Sequence, residues 1–199
     1  MNGKVRVLLV EDNTNFAFNF KELISMDDRL DYLGCASCKD SGVEMAIEQK
    51  PDIVVMDLNL SGVALDGIVA AKEIRRKTGI KVLLLTAYEQ KDTIINASKE
   101  AFASGYIFKT HFQSIANIIY ETATAAPPQK EFIKELVLGE LTVAERDIVV
   151  GIVNGNITAN VNKLSLATSP KTIAAQKTSI FKKLGLTSEA ELIRIFKNW

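Results

Sequence analysis

The sequence predicts an α/β fold, a parallel β-sheet covered by helices on both faces, followed by a smaller all-α module. Apolar strand-like runs and amphipathic helical patterns alternate five times over residues 1–122, which is typical of parallel strands joined by helical crossovers. The run Ile53–Met56 contains no polar residue, as in a strand that is buried on both faces. Pro127-Pro128 then interrupts the alternation, and the residues after it have only helical periodicity.

Five segments have the apolar and β-branched composition of strands. Two acidic residues follow the first segment, and the third segment ends in an acidic residue. The fourth segment ends in a residue with a hydroxyl group, and the fifth segment ends in a lysine. The predicted strands are, in chain order, Lys4–Val10, Leu30–Ala36, Ile53–Asp57, Lys81–Thr86 and Gly105–Lys109.

A helix follows each of these strands. In the first helix Phe16, Phe20 and Ile24 recur at helical spacing, so they define its buried face. Right-handed crossovers close such a chain into a three-layer sandwich, and the flavodoxin-like strand order 2-1-3-4-5 would bring the first and third strands together. The predicted helices are 14–26, Ser41–Gln49, Ile68–Lys77, Thr93–Ala103 and Phe112–Thr122.

In this order, three carboxylates meet at the carboxyl ends of two neighbouring strands. Glu11 and Asp12 follow the first strand, and Asp57 ends the third. Crowded carboxylates are suited to a hard divalent cation, and Mg²⁺ could take a further oxygen from the backbone carbonyl of Asn59. Asp57 would then be the nucleophile for an in-line phosphoryl transfer.

The next two strands end in groups that suit the phosphoryl oxygens. Lys109 would pair with one oxygen, the Thr86 hydroxyl could bond another, and the small Ala87 leaves room for a donor. Each residue also has a plainer explanation, because acids favour the first turn of a helix and strand-end Thr and Lys are common on surfaces. Tyr106 could be ordinary core. The joint pattern favours a functional site.

These residues resemble the receiver domain of two-component response regulators. The resemblance implies phosphorylation of Asp57 by a sensor histidine kinase, Mg²⁺ at the acids, and a switch pair, Thr86 and Tyr106, that reports phosphorylation. The loop Ser61–Gly67 departs from the family pattern, which usually has a proline and an earlier glycine, and no proline follows Lys109. The matching residues are Glu11-Asp12, Asp57 in Asp-Leu-Asn-Leu, Thr86-Ala87, and Tyr106 with Lys109.

After this part of the chain the composition changes. We predict a receiver domain over residues 1–122, a linker over 123–138 that Pro127-Pro128 stiffens toward polyproline geometry, and a helical domain over 139–199.

The last domain has the pattern of four helices. A capping box, Thr142 with Glu145, opens the first helix, and Ser169 caps the longest one. One pair of helices is joined by a tight turn, which fits a helix-turn-helix module. The predicted helices are Val143–Asn154, Thr158–Leu164, Pro170–Leu184 and Ser188–Lys197.

The module contains Leu141-Thr142, Glu145, Gly155, Ser169-Pro170-Lys171-Thr172, Ile180 and Lys183-Leu184-Gly185-Leu186. With these residues it resembles the LuxR-type DNA-binding domain of NarL/FixJ-type regulators. Two positions of the long helix that are usually basic or His are Ala174 and Gln176 here, and the segment Thr158–Leu164 lacks the usual Lys-Glu-Ile-Ala. The charged face of that helix is either simply solvated or enters a DNA major groove. If the helix enters the groove, the predicted DNA contacts come from Lys171, Thr172, Gln176, Lys177, Lys182 and Lys183.

Composition limits the class of protein. Residues 1–138 carry 16 Lys and Arg against 19 Asp and Glu, whereas residues 139–199 carry 8 Lys and Arg against 5 Asp and Glu. This difference weakly favours an acidic, metal-binding first part and a basic, nucleic-acid-binding second part.

No apolar run approaches the ~20 residues that span a bilayer and no secretory pattern is present, so we expect a cytoplasmic protein without a membrane partner. Cys35 and Cys38, the only cysteines, lack a second Cys or His pair for a zinc site, and we interpret them as small buried residues.

The sequence therefore predicts a DNA-binding transcriptional response regulator that catalyses only its own phosphorylation and dephosphorylation. Its partners would be a sensor histidine kinase, a DNA operator and a second copy of itself. Two alternatives stay open. One is a small-molecule phosphatase or phosphotransferase that uses Asp57, although no second acid stands two residues later. The other is a phospho-regulated protein-interaction regulator whose altered helix-turn-helix no longer binds DNA.

Overall fold

The computed structural model describes residues 3–60, 65–87, 90–125, 127–155 and 169–197. No helix within these ranges is long and apolar enough to cross a membrane. The strands are β1 (Val5–Val10), β2 (Leu30–Ala36), β3 (Ile53–Asp57), β4 (Lys81–Thr86) and β5 (Gly105–Phe108). The helices are α1 (Thr14–Ser25), α2 (Lys39–Gln49), α3 (Asp66–Thr78), α4 (Lys91–Glu100), α5 (Ile115–Thr124), α6 (Pro128–Leu138), α7 (Val143–Val153), α8 (Pro170–Leu184) and α9 (Glu189–Lys197), with a 3-10 helix over Lys109–Ser114.

The five strands form one parallel sheet in the order β2-β1-β3-β4-β5. This confirms the predicted order and puts β1 beside β3, with Leu9 opposite Val55. Successive side chains of a strand point to opposite faces of the sheet, so the apolar side chains of each strand pack in two separate cores, one on each face. Met56 packs in the core under α2, α3 and α4, whereas Val55 packs in the core under α1 and α5. The predicted three-layer sandwich is therefore confirmed.

The chain after β5 differs in detail from the prediction. We expected the fifth strand to include Lys109 and a helix to start at Phe112, but the strand ends at Phe108. Lys109 begins the 3-10 helix, and α5 starts only at Ile115. A tight 3-10 turn directly after the sheet keeps the lysine close to the strand ends.

The predicted linker contains a helix. We expected residues 123–138 to be extended around Pro127-Pro128, but α6 begins at Pro128 and runs to Leu138. Proline is well tolerated at the first helical position because its missing N–H would have no partner within the helix there. The polyproline interpretation was therefore wrong for residues 128–138. Ile133 of α6 is buried in the same core as residues of α7, α8 and α9.

The helical module agrees with the prediction where the structure describes it. Thr142 and Glu145 form both bonds of the capping box at the start of α7. The Ser169 hydroxyl accepts from the backbone N–H of Thr172, and α8 ends at Gly185 with a φ of +62°, a left-handed conformation that favours glycine. The predicted helix Thr158–Leu164 and the turn after it lie outside the described residues.

Helix α9 docks the module on the receiver part through two arginines of α3. The side chain of Arg75 is fully buried, and its guanidinium donates to the carbonyl of Gly79 at 2.9 Å and to that of Ile195 in α9 at 2.9 Å. Burial lowers the pKa of Arg75 to about 10. Arg76 forms an ion pair with Glu191 of α9 at 2.9 Å. These contacts attach the C-terminal helix to the receiver.

Glu145 joins α7 to α8 inside the module. Its carboxylate accepts from Lys183 at 2.6 Å, from the Ser179 hydroxyl at 2.7 Å and from the backbone N–H of Thr142 at 2.8 Å. Burial by itself would raise the pKa of Glu145, but these hydrogen bonds outweigh it and lower the pKa to about 2. The ionised form is therefore bound more tightly in the folded protein than in the unfolded chain.

We predict that Glu145→Gln lowers the free energy of unfolding by about 1–3 kcal/mol at neutral pH. A carboxylate with a lowered folded-state pKa stabilises the protein fully above its ordinary pKa of 4.5, and this contribution is lost as the pH falls toward 2. Denaturant titrations followed by circular dichroism should therefore show a steeper loss of stability below pH 4.5 in the wild type than in the variant. Glu135→Gln, at an exposed carboxylate of α6, is the control. Equal pH slopes for the wild type and Glu145→Gln would contradict this assignment.

Candidate functional site

Three carboxylates converge at the carboxyl edge of the sheet. Oxygens of Glu11, Asp12 and Asp57 lie within 4.8 Å of one another. Glu11 and Asp57 are buried, whereas Asp12 is exposed. Their meeting follows from the topology, because the ends of the adjacent strands β1 and β3 carry them. Hard oxygen donors in this number suit a divalent cation such as Mg²⁺.

Lys109 places a positive charge between two of these acids. Its Nζ lies 2.7 Å from Glu11 Oε2 and 2.9 Å from Asp57 Oδ2. Burial by itself would lower the pKa of Lys109, but the hydrogen bonds to Glu11 and Asp57 outweigh it and raise the pKa. The lysine stays protonated and offsets the repulsion between the carboxylates.

The two buried acids are poorly hydrated despite this partner. Burial raises the pKa of Asp57, and the hydrogen bond from Lys109 offsets only part of that effect. Burial also raises the pKa of Glu11, again against the hydrogen bond from Lys109. Desolvated carboxylates gain more from a bound cation than hydrated ones do, so the electrostatics of the site fit a metal ion.

The other predicted site residues lie around the same edge. Thr86 is buried at the end of β4, opposite Phe108 of β5, and Ala87 after it is exposed. Asn59 accepts through Oδ1 from the backbone N–H of Leu65 at 3.0 Å, which ties the loop after β3 to the start of α3. Tyr106 is half-buried on β5.

The sequence did not show why residue 67, beside the site, must be a glycine. We noted it only because it comes later than the family pattern predicts, and part of its loop, residues 61–64, lies outside the described residues. A Cβ at Gly67 would stand 1.8 Å from the backbone carbonyl oxygen of Asp57. Its N–H donates to the carbonyl of Leu58 at 3.1 Å. The first turn of α3 therefore packs directly on the backbone that carries Asp57, and only glycine fits there.

Phe16 is a second residue whose position the sequence did not reveal. Helical spacing marked it as core, but its ring centroid lies 5.0 Å from the Nζ of Lys109. The two residues are far apart in the chain, so no local pattern could have connected them.

The predicted DNA-contacting residues do not all project into solvent. Lys171, Thr172 and Lys182 are exposed, and Gln176 is half-buried. Two lysines form ion pairs within the module at 2.6 Å, namely Lys177 with Glu189 and Lys183 with Glu145.

The two cysteines have separate surroundings. Cys35 Sγ contacts the carbonyl oxygen of Glu11 at 3.4 Å, and Cys38 Sγ contacts the Ser41 hydroxyl at 3.1 Å. Both are free thiols. In the described part of the chain neither belongs to a cluster of metal-ligating side chains.

The acid cluster, the lysine and the strand order are the features of one known family. The family description "response regulator receiver domain" matches residues 7–120, more than half of the chain. The chain belongs to the response regulator receiver family.

Similar proteins extend this match over the whole response regulator. A nitrate/nitrite response regulator protein homolog from Haemophilus influenzae is 26% identical over 98% of this chain and 98% of that protein. The transcriptional regulatory protein YdfI from Bacillus subtilis is 27% identical over 96% of this chain and 94% of that protein. The fold is similar to that of RcsB from Salmonella enterica bound to the promoter rprA with the phosphomimetic BeF3-, with a TM-score of 0.55 and 18% identity over 98% and 99% of the two chains. The predicted combination of a receiver with a helical module is thus confirmed.

We predict that Gly67→Ala lowers the free energy of unfolding of the response regulator by about 3 kcal/mol. The new methyl group would overlap the Asp57 carbonyl, and backbone on both sides must move to accept it. Denaturant titration measures the loss. Gly3→Ala is the matched control, because a Cβ there has nothing within 4 Å. Equal unfolding midpoints for both variants would contradict the close approach of α3 to Asp57.

Proposed function

We propose that this response regulator is switched by Mg²⁺-dependent transfer of a phosphoryl group from a sensor histidine kinase to Asp57, and that its helical module regulates transcription by binding an operator in DNA. One observation carries the proposal. A buried carboxylate, Asp57, lies between two further acids and a lysine whose Nζ is 2.9 Å from it. This is the arrangement that an aspartyl phosphate requires.

The proposed reaction at Asp57 is an in-line displacement. A carboxylate oxygen of Asp57 forms a bond to phosphorus as the bond between phosphorus and the kinase histidine nitrogen breaks, and that nitrogen keeps the electron pair. Glu11, Asp12, Asp57 and the backbone carbonyl of Asn59 would hold Mg²⁺, which offsets the charge of the phosphoryl oxygens. The exposed Ala87 leaves the approach to the site open for the donor.

Lys109 has to change partners during this reaction. Its ammonium now holds Glu11 Oε2 and Asp57 Oδ2, which belong to the carboxylates that would also hold the metal ion. With a divalent cation held by the carboxylates, Lys109 would be free to pair its ammonium with a phosphoryl oxygen. The lysine thus stabilises the acids before phosphorylation and the phosphoryl group after it.

Tyr106 is the residue through which we propose that the phosphorylation of Asp57 reaches the helical module. Its side chain packs against the receiver core under α3 and also against the core of the module. Its backbone N–H donates to Gln129 Oε1 of α6 at 2.9 Å. A rearrangement of Thr86 and Tyr106 on phosphorylation therefore acts on α6. We propose that residues 1–122 form the receiver domain and residues 139–199 the helical domain, and that α6 connects them.

DNA binding by α8 is supported by its exposed residues and by the similar proteins. Lys171 and Thr172 lie at the exposed N-terminal end of the helix, where recognition helices contact bases, and Lys182 is exposed near its other end. The Bacillus subtilis relative is named a transcriptional regulator, and RcsB, which has a similar fold, is bound to a promoter. Lys177 and Lys183 already pair with Glu189 and Glu145, so they would have to exchange these partners to contact phosphates. Two copies on two half-sites are the expected assembly.

We predict that the full-length protein takes up one phosphoryl group from acetyl phosphate when Mg²⁺ is present, and none when Mg²⁺ is chelated. Intact mass spectrometry measures the uptake. Asp57→Ala should take up none, whereas Asp52→Ala, which removes an exposed acid before the same strand, should behave as the wild type. Equal uptake by the wild type and Asp57→Ala would contradict the proposal. Continuous release of phosphate from phosphate esters would favour the phosphatase alternative.

We predict that the phosphorylated protein selects specific duplexes from a random DNA pool. Binding of a selected duplex should weaken with salt, and Lys171→Ala or Lys182→Ala should each lower the slope of log affinity against log salt by about 1. Gel-shift titrations at several salt concentrations measure this slope. Lys21→Ala, at an exposed lysine of α1, is the control. Failure to select any sequence would favour the protein-interaction alternative.

A further inference from the structure

The ring of Phe16 lies against the ammonium group that the phosphorylation site needs. Lys109 Nζ is 5.0 Å from the ring centroid. A cation within about 6 Å of an aromatic centroid is attracted by the negative face of the ring. This contact is therefore electrostatic as well as a packing contact.

The ring itself is held from two sides. Phe112 packs edge-on against Phe16, with centroids 5.6 Å apart and an interplanar angle of 89°. Phe112 lies three residues after Lys109 in the same short segment, Lys109–Ser114, so the lysine and the ring that packs on Phe16 are close in the chain. On the side of α1, the ring of Phe20 lies 6.3 Å from that of Phe16, and Phe20 is completely buried. Phe16 therefore contacts Lys109 from a fixed position.

The ring contact differs from the other two contacts of Lys109 in what happens when a metal ion binds. The carboxylates of Glu11 and Asp57, which hold the ammonium at 2.7 and 2.9 Å, are also the metal-ligating groups. A divalent cation competes with Lys109 for both of them. The ring of Phe16 offers no ligand to a hard cation, so the contact between Phe16 and Lys109 persists when the carboxylates are occupied.

We propose that Phe16 is a positioning residue that keeps the ammonium of Lys109 within reach of the phosphoryl group on Asp57 while the metal ion occupies the acids. The inference rests on the proposed function, because the reaction it serves is the phosphorylation of Asp57. Phe16 touches neither the donor nor the metal ion in this account. It acts through Lys109 alone.

A packing role and a positioning role make different demands on the ring. Packing depends on the size and shape of the side chain, whereas attraction to a cation depends on the electron density of the ring face. Fluorine atoms on the ring withdraw that density with little change in shape. A series with one, two and three fluorine atoms therefore separates the two roles.

The experiment replaces Phe16 in the full-length chain with 4-fluoro-, 3,5-difluoro- and 3,4,5-trifluorophenylalanine. The rate of phosphorylation by acetyl phosphate at saturating Mg²⁺, the affinity for Mg²⁺ and the thermal unfolding midpoint are measured for each protein. We expect the logarithm of the rate to fall with each fluorine, by roughly three- to tenfold in total. Mg²⁺ affinity and the unfolding midpoint should not change. Phe18, which is 64% exposed on the same helix, receives the same substitutions as the matched control and should give a constant rate.

The outcomes separate this inference from the function on which it rests. A constant rate across the Phe16 series, in a wild type that is phosphorylated on Asp57, overturns the positioning role and leaves the proposed function intact. A fall in rate that follows a fall in the unfolding midpoint also overturns it, because the ring would then act by packing. A wild type that takes up no phosphoryl group overturns the proposed function itself.

Discussion

The double ion pair of Lys109 is the interaction on which the rest of the site depends. Two carboxylates, Glu11 and Asp57, are buried at the end of a parallel sheet, where burial disfavours the ionised form and a nearby cation favours it. The ammonium at 2.7 and 2.9 Å supplies that charge from the 3-10 helix that follows β5. The topology makes this possible, because the order β2-β1-β3-β4-β5 brings the ends of β1, β3 and β5 to one edge. The same edge can then accept a metal ion on the carboxylates, with the lysine left close enough to pair with a phosphoryl group on Asp57.

The helical module contacts the receiver through buried and exposed polar groups. Burying a guanidinium costs free energy, and Arg75 offsets part of this cost by donating from Nη1 and Nη2 to the carbonyls of Gly79, Ile80 and Ile195. Lys99 of α4 forms an ion pair with Glu140 at 2.7 Å. The receiver and the module therefore share a polar and an apolar contact surface.

The sequence was sufficient for the features that depend on local pattern and topology. Uninterrupted apolar runs located the strands, and the parallel order then brought Asp57 to Glu11 and Asp12. It was not sufficient where a contact joins distant segments. The ring of Phe16 had the spacing of a core residue, and nothing nearby in the chain indicated Lys109. The clash that makes Gly67 necessary depends on how α3 returns over β3. Pro128 was misread because a proline that ends one helix can also begin the next.

The most direct test of the central claim is to locate the phosphoryl group. Borohydride reduces an aspartyl phosphate to homoserine, so the protein is treated with acetyl phosphate and Mg²⁺, reduced, digested and mapped by peptide mass spectrometry. The account predicts homoserine at position 57 and at no other aspartate, in an amount that falls to background when Mg²⁺ is chelated. Conversion of Asp12 or Asp66 in place of Asp57 would contradict it.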